Sequence, residues 1–316
     1  SGTQVRVLAA EALTGTAATA VWDEQAFSPL RGYPVSAAFH QDRLVIGGSR
    51  ELPNRLWLSR SADIWNFDLG TGQDDEAIEF GILSDQINAI RAVFSGRHLQ
   101  VFTSGAEWMV TGEPLTPQAI QLNRQTRIGS PTDRSVAPRD VDGATLFVSR
   151  NGREIREFLF ADSEQAYQAT DLALLARHLV VRPVDQDYDQ GRRLMLIVMA
   201  DGTLGALTLF RAEQVTAWTR IDTGGTIHSV AVVGDDVHLL VQRPEGFSTR
   251  WNIERLDDAL HLDAGLYGES DEPAAVWSGL DHLEGRAVAV VADGVLRPDA
   301  TVSGGAITRS EEHTSE

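Results

Sequence analysis

Residues 193–209, RLMLIVMADGTLGALTL, decide the fold class of this 316-residue chain. Two apolar segments flank Asp201-Gly202, a dipeptide typical of tight hairpin turns because both central residues of a type I′ turn take positive φ. Both segments are apolar on either face, which is typical of strands covered by neighbouring layers on both sides. The stretch therefore predicts a buried antiparallel hairpin.

The same plan recurs along the chain: a strand, a tight turn, a fully apolar strand, a turn and a half-exposed strand. The central strands carry leucines 43 to 55 residues apart, at Leu44, Leu99, Leu146, Leu196 and Leu239. Asn151-Gly152 supplies a second strong hairpin signal. A repeat of about 40 to 50 residues is typical of four-stranded propeller blades. We therefore predict an all-β protein, with a β-propeller of five visible blades over residues 31–262; N-terminal strands could close a sixth.

The remaining residues divide into shorter segments. Residues 1–30 are interpreted as an incomplete N-terminal strand and lead-in, residues 263–273 as an acidic linker, and residues 274–308 as the start of a truncated small β domain. The last eight residues, RSEEHTSE, resemble a translated sequencing adapter at the truncated end of a metagenomic reading frame. We interpret residues 309–316 as an artefact of that kind.

One segment interrupts the strand pattern. Residues 170–179 begin with Thr170, a capping residue, and repeat their leucines at helical spacing. This pattern predicts a short packing helix between the third and fourth blades. The same spacing could also form a stripe on which a partner docks.

The composition limits the classes of partner. The net charge of -18 opposes ordinary nucleic-acid binding, since it repels phosphate and is not offset by a basic stripe. A conduit through which DNA slides without sticking remains compatible with acidic walls. The chain has no cysteine, which excludes disulfides and thiolate chemistry, and no stretch of about 20 apolar residues that would predict a membrane span.

The stretch at residues 56–80, LWLSRSADIWNFDLGTGQDDEAIEF, combines aromatic residues with an acidic loop. We predict that its large rings anchor a loop whose tip is too charged to bury. Ser61-x-Asp63 partly resembles the Asp-box turn of sialidase-type propellers, but Trp65 stands where that turn has glycine. The run Asp74-Asp75-Glu76 could bind calcium, yet it lacks the alternating spacing of a calcium loop and is more typical of a solvated face.

The sequence contains no recognisable set of catalytic, cofactor-binding or metal-binding residues. The eight histidines have neither HxxxH nor HExxH spacing, and His238, which lies in an apolar strand, is interpreted as a blade residue. Phosphate-binding loops and nucleophile elbows are also missing. The pairs Glu76 with Glu79 and Asp235 with Asp236 would suit a glycosidase only if they converged across a cleft. The sequence therefore predicts no enzyme and no cofactor.

Six motifs lie along the chain: WDEQAFSPLRGYP (22–34), FHQDRLVIGG (39–48), the stretch at 56–80, SDQINAIR (84–91), LQVFTSGAEWMVTG (99–112) and DHLEGRAVAVVADG (281–294). Together they resemble a family of tailed-bacteriophage and prophage structural proteins, similar to the tail nozzle, or tail tubular protein B, group. The likeness covers roughly residues 21–308.

The resemblance implies a virion component of the tail, assembled in the cytoplasm of the bacterial host. It implies a homo-oligomer that contacts other tail proteins, such as an adaptor or a fibre, where DNA leaves the tail. It carries over no catalytic residue. Two alternatives remain open on the sequence: a glycan-binding or glycan-cleaving propeller at a tail tip, and an intracellular scaffold propeller unrelated to phages.

Overall fold

The computed structural model describes residues 26–84, 88–245, 248–260, 262–272 and 274–308. Within these residues the chain forms antiparallel sheets that follow one another along the sequence. Each of the first four sheets has four strands, and the fifth has three. Strand order follows chain order within every one of these sheets, so each is a simple meander.

The strands of the five sheets have the following bounds. The first sheet contains β1 (Ser36–His40), β2 (Arg43–Gly47), β3 (Arg55–Leu58) and β4 (Ile78–Gly81). The second contains β5 (Ile90–Ser95), β6 (Leu99–Thr103), β7 (Glu107–Thr111) and β8 (Gln121–Thr126). The third contains β9 (Arg139–Val141), β10 (Ala144–Val148), β11 (Ile155–Ala161) and β12 (Ala166–Asp171). The fourth contains β13 (Pro183–Asp189), β14 (Leu194–Met199), β15 (Leu204–Phe210) and β16 (Val215–Ile221). The fifth contains β17 (Thr226–Val233), β18 (Asp236–Glu245) and β19 (Ser248–Arg255).

The remaining described elements are short. Two two-stranded sheets follow the fifth blade: β20 (Val276–Ser278) pairs with β23 (Ala306–Thr308), and β21 (Ala287–Ala292) pairs with β22 (Val295–Thr301). One-turn 3₁₀ helices lie at Arg177–Leu179, Arg211–Glu213 and Asp281–Leu283.

Four hydrophobic clusters lie between successive sheets. Each joins residues of two neighbouring sheets, as where Leu58 and Ile78 of the first meet Val93 and Trp108 of the second. Equivalent clusters join the second to the third sheet, the third to the fourth and the fourth to the fifth. An internal sheet is therefore covered on both faces, which is why every residue of β6 and of β10 is buried. The first strands of neighbouring sheets also touch, as β1 does with β5 and β13 does with β9 and β17.

Four-stranded meanders packed face to face, with their first strands adjacent, define a β-propeller. The predicted fold class is confirmed. The leucines used to align the repeats all lie in the second strand of a blade. Four of them are buried, whereas Leu44 is half-buried because the neighbouring Val45 takes the inward position in β2.

The predicted helix at residues 170–179 is wrong. Thr170 belongs to β12, where it pairs with Glu157, and the segment ends in one 3₁₀ turn. The carboxylate of Asp171 accepts the Ala173 N–H at 2.9 Å, which closes a turn of the Asx type instead of a helical one. Leu175 is 95% exposed, so the leucines do not form a packing stripe.

The turn type predicted for Asp201-Gly202 and Asn151-Gly152 is also wrong. In each pair only the glycine has positive φ, because the loops are longer than two residues and the Asp or Asn side chain accepts the N–H two residues on. The two-residue loop Asp142-Gly143, between β9 and β10, has both residues at positive φ, 50° and 81°. This loop has the dihedrals of a type I′ turn.

One strand in each of the first four blades was not predicted. β4, β8 and β12 are outer strands with no strong apolar pattern, and β13 precedes the hairpin predicted at residues 193–209. The strand predicted within residues 1–20 and the octapeptide at 309–316 lie outside the described residues. Between the fifth blade and β20, Asp263 accepts hydrogen bonds from Arg243, Thr223 and the Gly224 amide, which fix this connection to the fifth blade.

Candidate functional site

The acidic loop after β3 is anchored by an arginine. Trp65 is 82% exposed, so its ring does not anchor the loop as predicted, whereas Phe67 is half-buried. Arg43, at the start of β2, is only 2% exposed and donates to the carbonyl oxygens of Ser59, Asp74 and Glu76 at 2.6 to 2.8 Å. Each of these carbonyls belongs to backbone that brackets the loop. The buried guanidinium therefore holds the loop to the first blade.

The acidic run within this loop is occupied by contacts with its own chain. One carboxylate oxygen of Glu76 accepts the N–H groups of Thr71, Gly72 and Gln73 at 2.6 to 2.7 Å. These hydrogen bonds, led by that of Gln73, lower the pKa of Glu76 below its ordinary value. Asp75 pairs with Arg60. Among the described residues, no three Asp, Glu or His side chains cluster closely enough to hold a metal ion.

The two carboxylate pairs considered for glycosidase chemistry do not meet across a cleft. Glu79 forms an ion pair with Arg55 at 2.7 Å, away from the backbone amides that hold Glu76. Asp236 faces Arg255 at 3.7 Å, beside the turn that contains Asp235. His238 lies in β18, as the sequence predicts. These carboxylates serve local structure in the described part of the chain.

A groove runs along the first strands of the first three blades. We call it the central groove; its volume is about 380 Å³, and residues 35–38, residues 91–95, Ser135, Ala137, Pro138 and Arg139 line it. A second cleft of about 400 Å³ shares Ser95 with it and extends past His40 to Ile64. His40 makes a 2.8 Å hydrogen bond with Ser95, and burial lowers the pKa of this histidine.

Two arginines line the central groove, and neither was predicted from the sequence as a site residue. Arg91 of β5 donates from Nη2 to the carbonyl oxygen of Arg134 at 2.9 Å. Arg139 of β9 donates from Nε to Asp187 at 2.8 Å. No aspartate or glutamate is among the residues that line this groove. Sequence spacing gave no signal, because the two arginines come from different blades 48 residues apart.

The fifth blade leaves one sheet face uncovered by any described residue. Residues paired directly across two strands share a face of the sheet. Leu239 and Val241 pack on the fourth blade, so the opposite face carries the pairs Leu240–Ile253 and Gln242–Trp251. Ile253 is 79% exposed and Trp251 is 54% exposed. We call this surface the fifth-blade face; it comprises Ala231, Val233, His238, Leu240, Gln242, Trp251, Ile253 and Arg255.

The described architecture places the chain in the class of β-propeller proteins. Within the described residues, no helix has the length and apolar character needed to cross a membrane. Neither a family model nor a curated protein matches the chain.

Several solved structures resemble the chain at low identity. Raptor of Chaetomium thermophilum aligns with 82% of the chain and 23% of its own, at 13% identity and a TM-score of 0.48. A streptogramin B lyase aligns with 67% of the chain and 63% of its own, at 12% identity and a TM-score of 0.43. BamB from Moraxella catarrhalis aligns with 68% of the chain and 56% of its own, at 12% identity and a TM-score of 0.41. The chain thus spans less than two thirds of each protein, and likenesses at this level carry no functional argument.

Proposed function

We propose that this protein is a non-enzymatic structural component of a phage tail, of the nozzle or tail-tube-end type. In this proposal, it assembles with copies of itself and contacts an adaptor or a fibre, in a virion whose parts are made in the bacterial cytoplasm. The resemblance of the six sequence motifs supports the class of protein. The acidic composition, with a net charge of -18, supports a path along which DNA passes without adhering.

The observation that carries the assembly role is the fifth-blade face. Contiguous exposed apolar side chains on a soluble protein mark surfaces that bind other proteins. Trp251 and Ile253, with Leu240 paired directly to Ile253, provide such a surface. Arg255 at its margin pairs with Asp257 at 3.0 Å and with Asp236 at 3.7 Å, and no carboxylate lies among Leu240, Trp251 and Ile253, so the apolar part of this face carries no negative charge in a chain that is strongly acidic. Two copies can therefore approach here without the repulsion that acts elsewhere on the surface.

Mass spectrometry of purified virions tests the proposed function directly. We expect peptides of the blades in a particle preparation from a phage that carries this gene, at a fixed ratio to a known tail protein. Genes for portal, terminase or other tail proteins should flank the reading frame. If the virions contain the neighbouring gene products but not this protein, the structural role is refuted.

The second candidate function is a glycan-binding or glycan-cleaving propeller at a tail tip. The central groove favours binding over cleavage, because its lining includes two arginines but no pair of carboxylates. Incubation of the purified chain with bacterial surface polysaccharide separates the alternatives. Release of reducing ends would refute the non-enzymatic proposal, whereas retention of intact polysaccharide would support the binding candidate.

A further inference from the structure

Two arginines line the central groove of a strongly acidic protein. Arg91 has no ion pair among the described residues, whereas the charge of Arg139 is partly offset by Asp187 at 2.8 Å. The chain has 45 acidic and 27 basic residues, yet Arg91 and Arg139 both line this groove and no carboxylate does. Such an arrangement attracts anions locally, even when the net charge repels them. This observation is independent of the fifth-blade face and of the proposed tail function.

A hydrogen bond to backbone fixes the side chain of Arg91, but no carboxylate among the described residues neutralises its charge. Its Nη2 donates to the carbonyl oxygen of Arg134, and its Nε is buried with no hydrogen-bond partner among the described residues. It forms no ion pair within the described part of the chain. Nη1 has no partner among the described residues either, and it is the nitrogen left for a ligand. The fixed plane of the guanidinium lowers the entropy lost on binding.

Asp187 positions Arg139 and also accepts a hydrogen bond from the backbone of the fifth blade. Asp187 accepts from Arg139 Nε with one oxygen and from the Val232 N–H with the other, at 2.8 Å each. Asp187 thus joins three blades and sets the direction of the Arg139 side chain, which is 35% exposed. The terminal nitrogens of Arg139 have no partner among the described residues. They are available for a second contact with the same anion.

The rest of the groove suits an organic ligand of modest size. Phe94 and Pro138 provide apolar surface, and Ser95 and Ser135 provide hydroxyl groups. The volume of about 380 Å³ lies within the range of about 300 to 1,000 Å³ that is usual for ligand pockets. The donors of an arginine match the two oxygens of a carboxylate, so a planar carboxylate suits this site. We infer that the central groove binds a small carboxylated sugar, with Arg91 and Arg139 on its carboxylate.

Isothermal titration calorimetry of the whole chain, with glucuronate, glucose and inorganic phosphate titrated separately, tests this inference. We expect glucuronate to bind, glucose to bind at least tenfold more weakly, and higher salt to weaken the glucuronate affinity. R91Q and R139Q should each weaken glucuronate binding at least tenfold. R97Q, which alters an arginine 56% exposed and paired with Asp162 outside the groove, should leave the affinity unchanged.

A conservative variant and the contradicting results complete this test. R91K keeps the charge and loses the planar fork, so an affinity between those of the unaltered chain and R91Q supports a carboxylate contact. Equal affinities for glucuronate and glucose, or phosphate binding tighter than glucuronate, would overturn it. So would equal losses in R91Q and R97Q, with thermal melting used to confirm that both variants are folded. None of these results bears on whether the protein belongs to a virion.

Discussion

At the scale of single residues, Gly129 shows how a backbone position can matter more than its sequence context indicates. Its φ is +77°, and a Cβ built there would lie 2.5 Å from the carbonyl oxygen of Ser104. Its N–H donates at 2.7 Å to Glu107, a carboxylate with no exposed surface. Burial raises the pKa of Glu107, against the opposing effect of hydrogen bonds from Thr126, Ile128 and Gly129.

Gly129→Ala should therefore destabilise the propeller. We expect the free energy of unfolding to fall by about 2 kcal/mol or more, since the strained φ and the contact with backbone act together. Chemical denaturation of the purified variant measures this change. Gly143→Ala is the matched control: its φ is +81° with no atom within 4 Å of a Cβ, so only the conformational cost of about 1 kcal/mol remains. Equal losses in the two variants would show that the Ser104 contact is unimportant.

Arg43 shows what the sequence cannot predict at this scale. Arg43 directly follows the turn between β1 and β2, and an arginine beside a turn is usually exposed. Its carbonyl partners at Asp74 and Glu76 lie more than 30 residues further along the chain. Backbone carbonyls leave no sequence signature. From the sequence, we therefore predicted that aromatic residues anchor the loop, whereas the buried guanidinium of Arg43 anchors it.

At the scale of elements, the central strands were predictable and the first strand of the fourth blade was not. The central strands are apolar on both faces, which is a strong signal. In β13, aspartates occupy alternate positions, and Asp185 and Asp187 accept the N–H groups of Val230 and Val232 across the seam to the fifth blade. Sequence reasoning assigns such carboxylates to solvent. Here the neighbouring blade supplies the donors that permit their partial burial.

The connection after the fifth blade should respond to acid. Burial alone would raise the pKa of Asp263, but hydrogen bonds from Arg243, Thr223 and the Gly224 amide outweigh it and hold that pKa below its ordinary value of about 3.8. Because the folded pKa is depressed, this stabilisation is complete above about pH 3.8 and is lost as the pH falls through the folded value. We expect lower protection factors for the amides of residues 262–266 below that pH, measured by hydrogen–deuterium exchange and corrected for the intrinsic pH dependence of amide exchange.

Two variants identify Asp263 as the origin of that response. Asp263→Asn cannot ionise, so the protection factors around residues 262–266 should already be low at pH 7 and change little on acidification. Asp162→Asn is the control, since Asp162 is 70% exposed and pairs with Arg97 elsewhere. High protection at pH 7 in the Asp263 variant would mean that neighbouring packing, and not this carboxylate, holds the connection.

At the scale of the whole molecule, the spacing of the leucines predicted radial packing because each blade must cover the next. The four interblade clusters are the physical result of that requirement. The repeat could not predict the polarity of the central groove, since first strands from different blades meet there. Nor could it predict the fifth-blade face, because β19 carries Trp251 and Ile253 in the same alternation as a covered strand.

Ile253→Lys tests whether the fifth-blade face mediates self-association. The side chain is 79% exposed in one copy, so the variant should fold normally; in an interface between copies, the ammonium would lose its hydration. We expect the dissociation constant between copies to rise at least about tenfold, which corresponds to about 1.4 kcal/mol. Mass photometry across a dilution series measures it.

Leu175→Lys is the control for general effects of an added positive charge. Leu175 is 95% exposed in the turn after β12 and lies off the fifth-blade face, so its variant should associate like the unaltered chain. Both substitutions change the net charge from -18 to -17, so any difference between them must come from position and not from total charge. If Leu175→Lys dissociates copies as strongly as Ile253→Lys, association depends on diffuse surface charge. If neither does, while the chain still associates, the contact between copies lies on another surface.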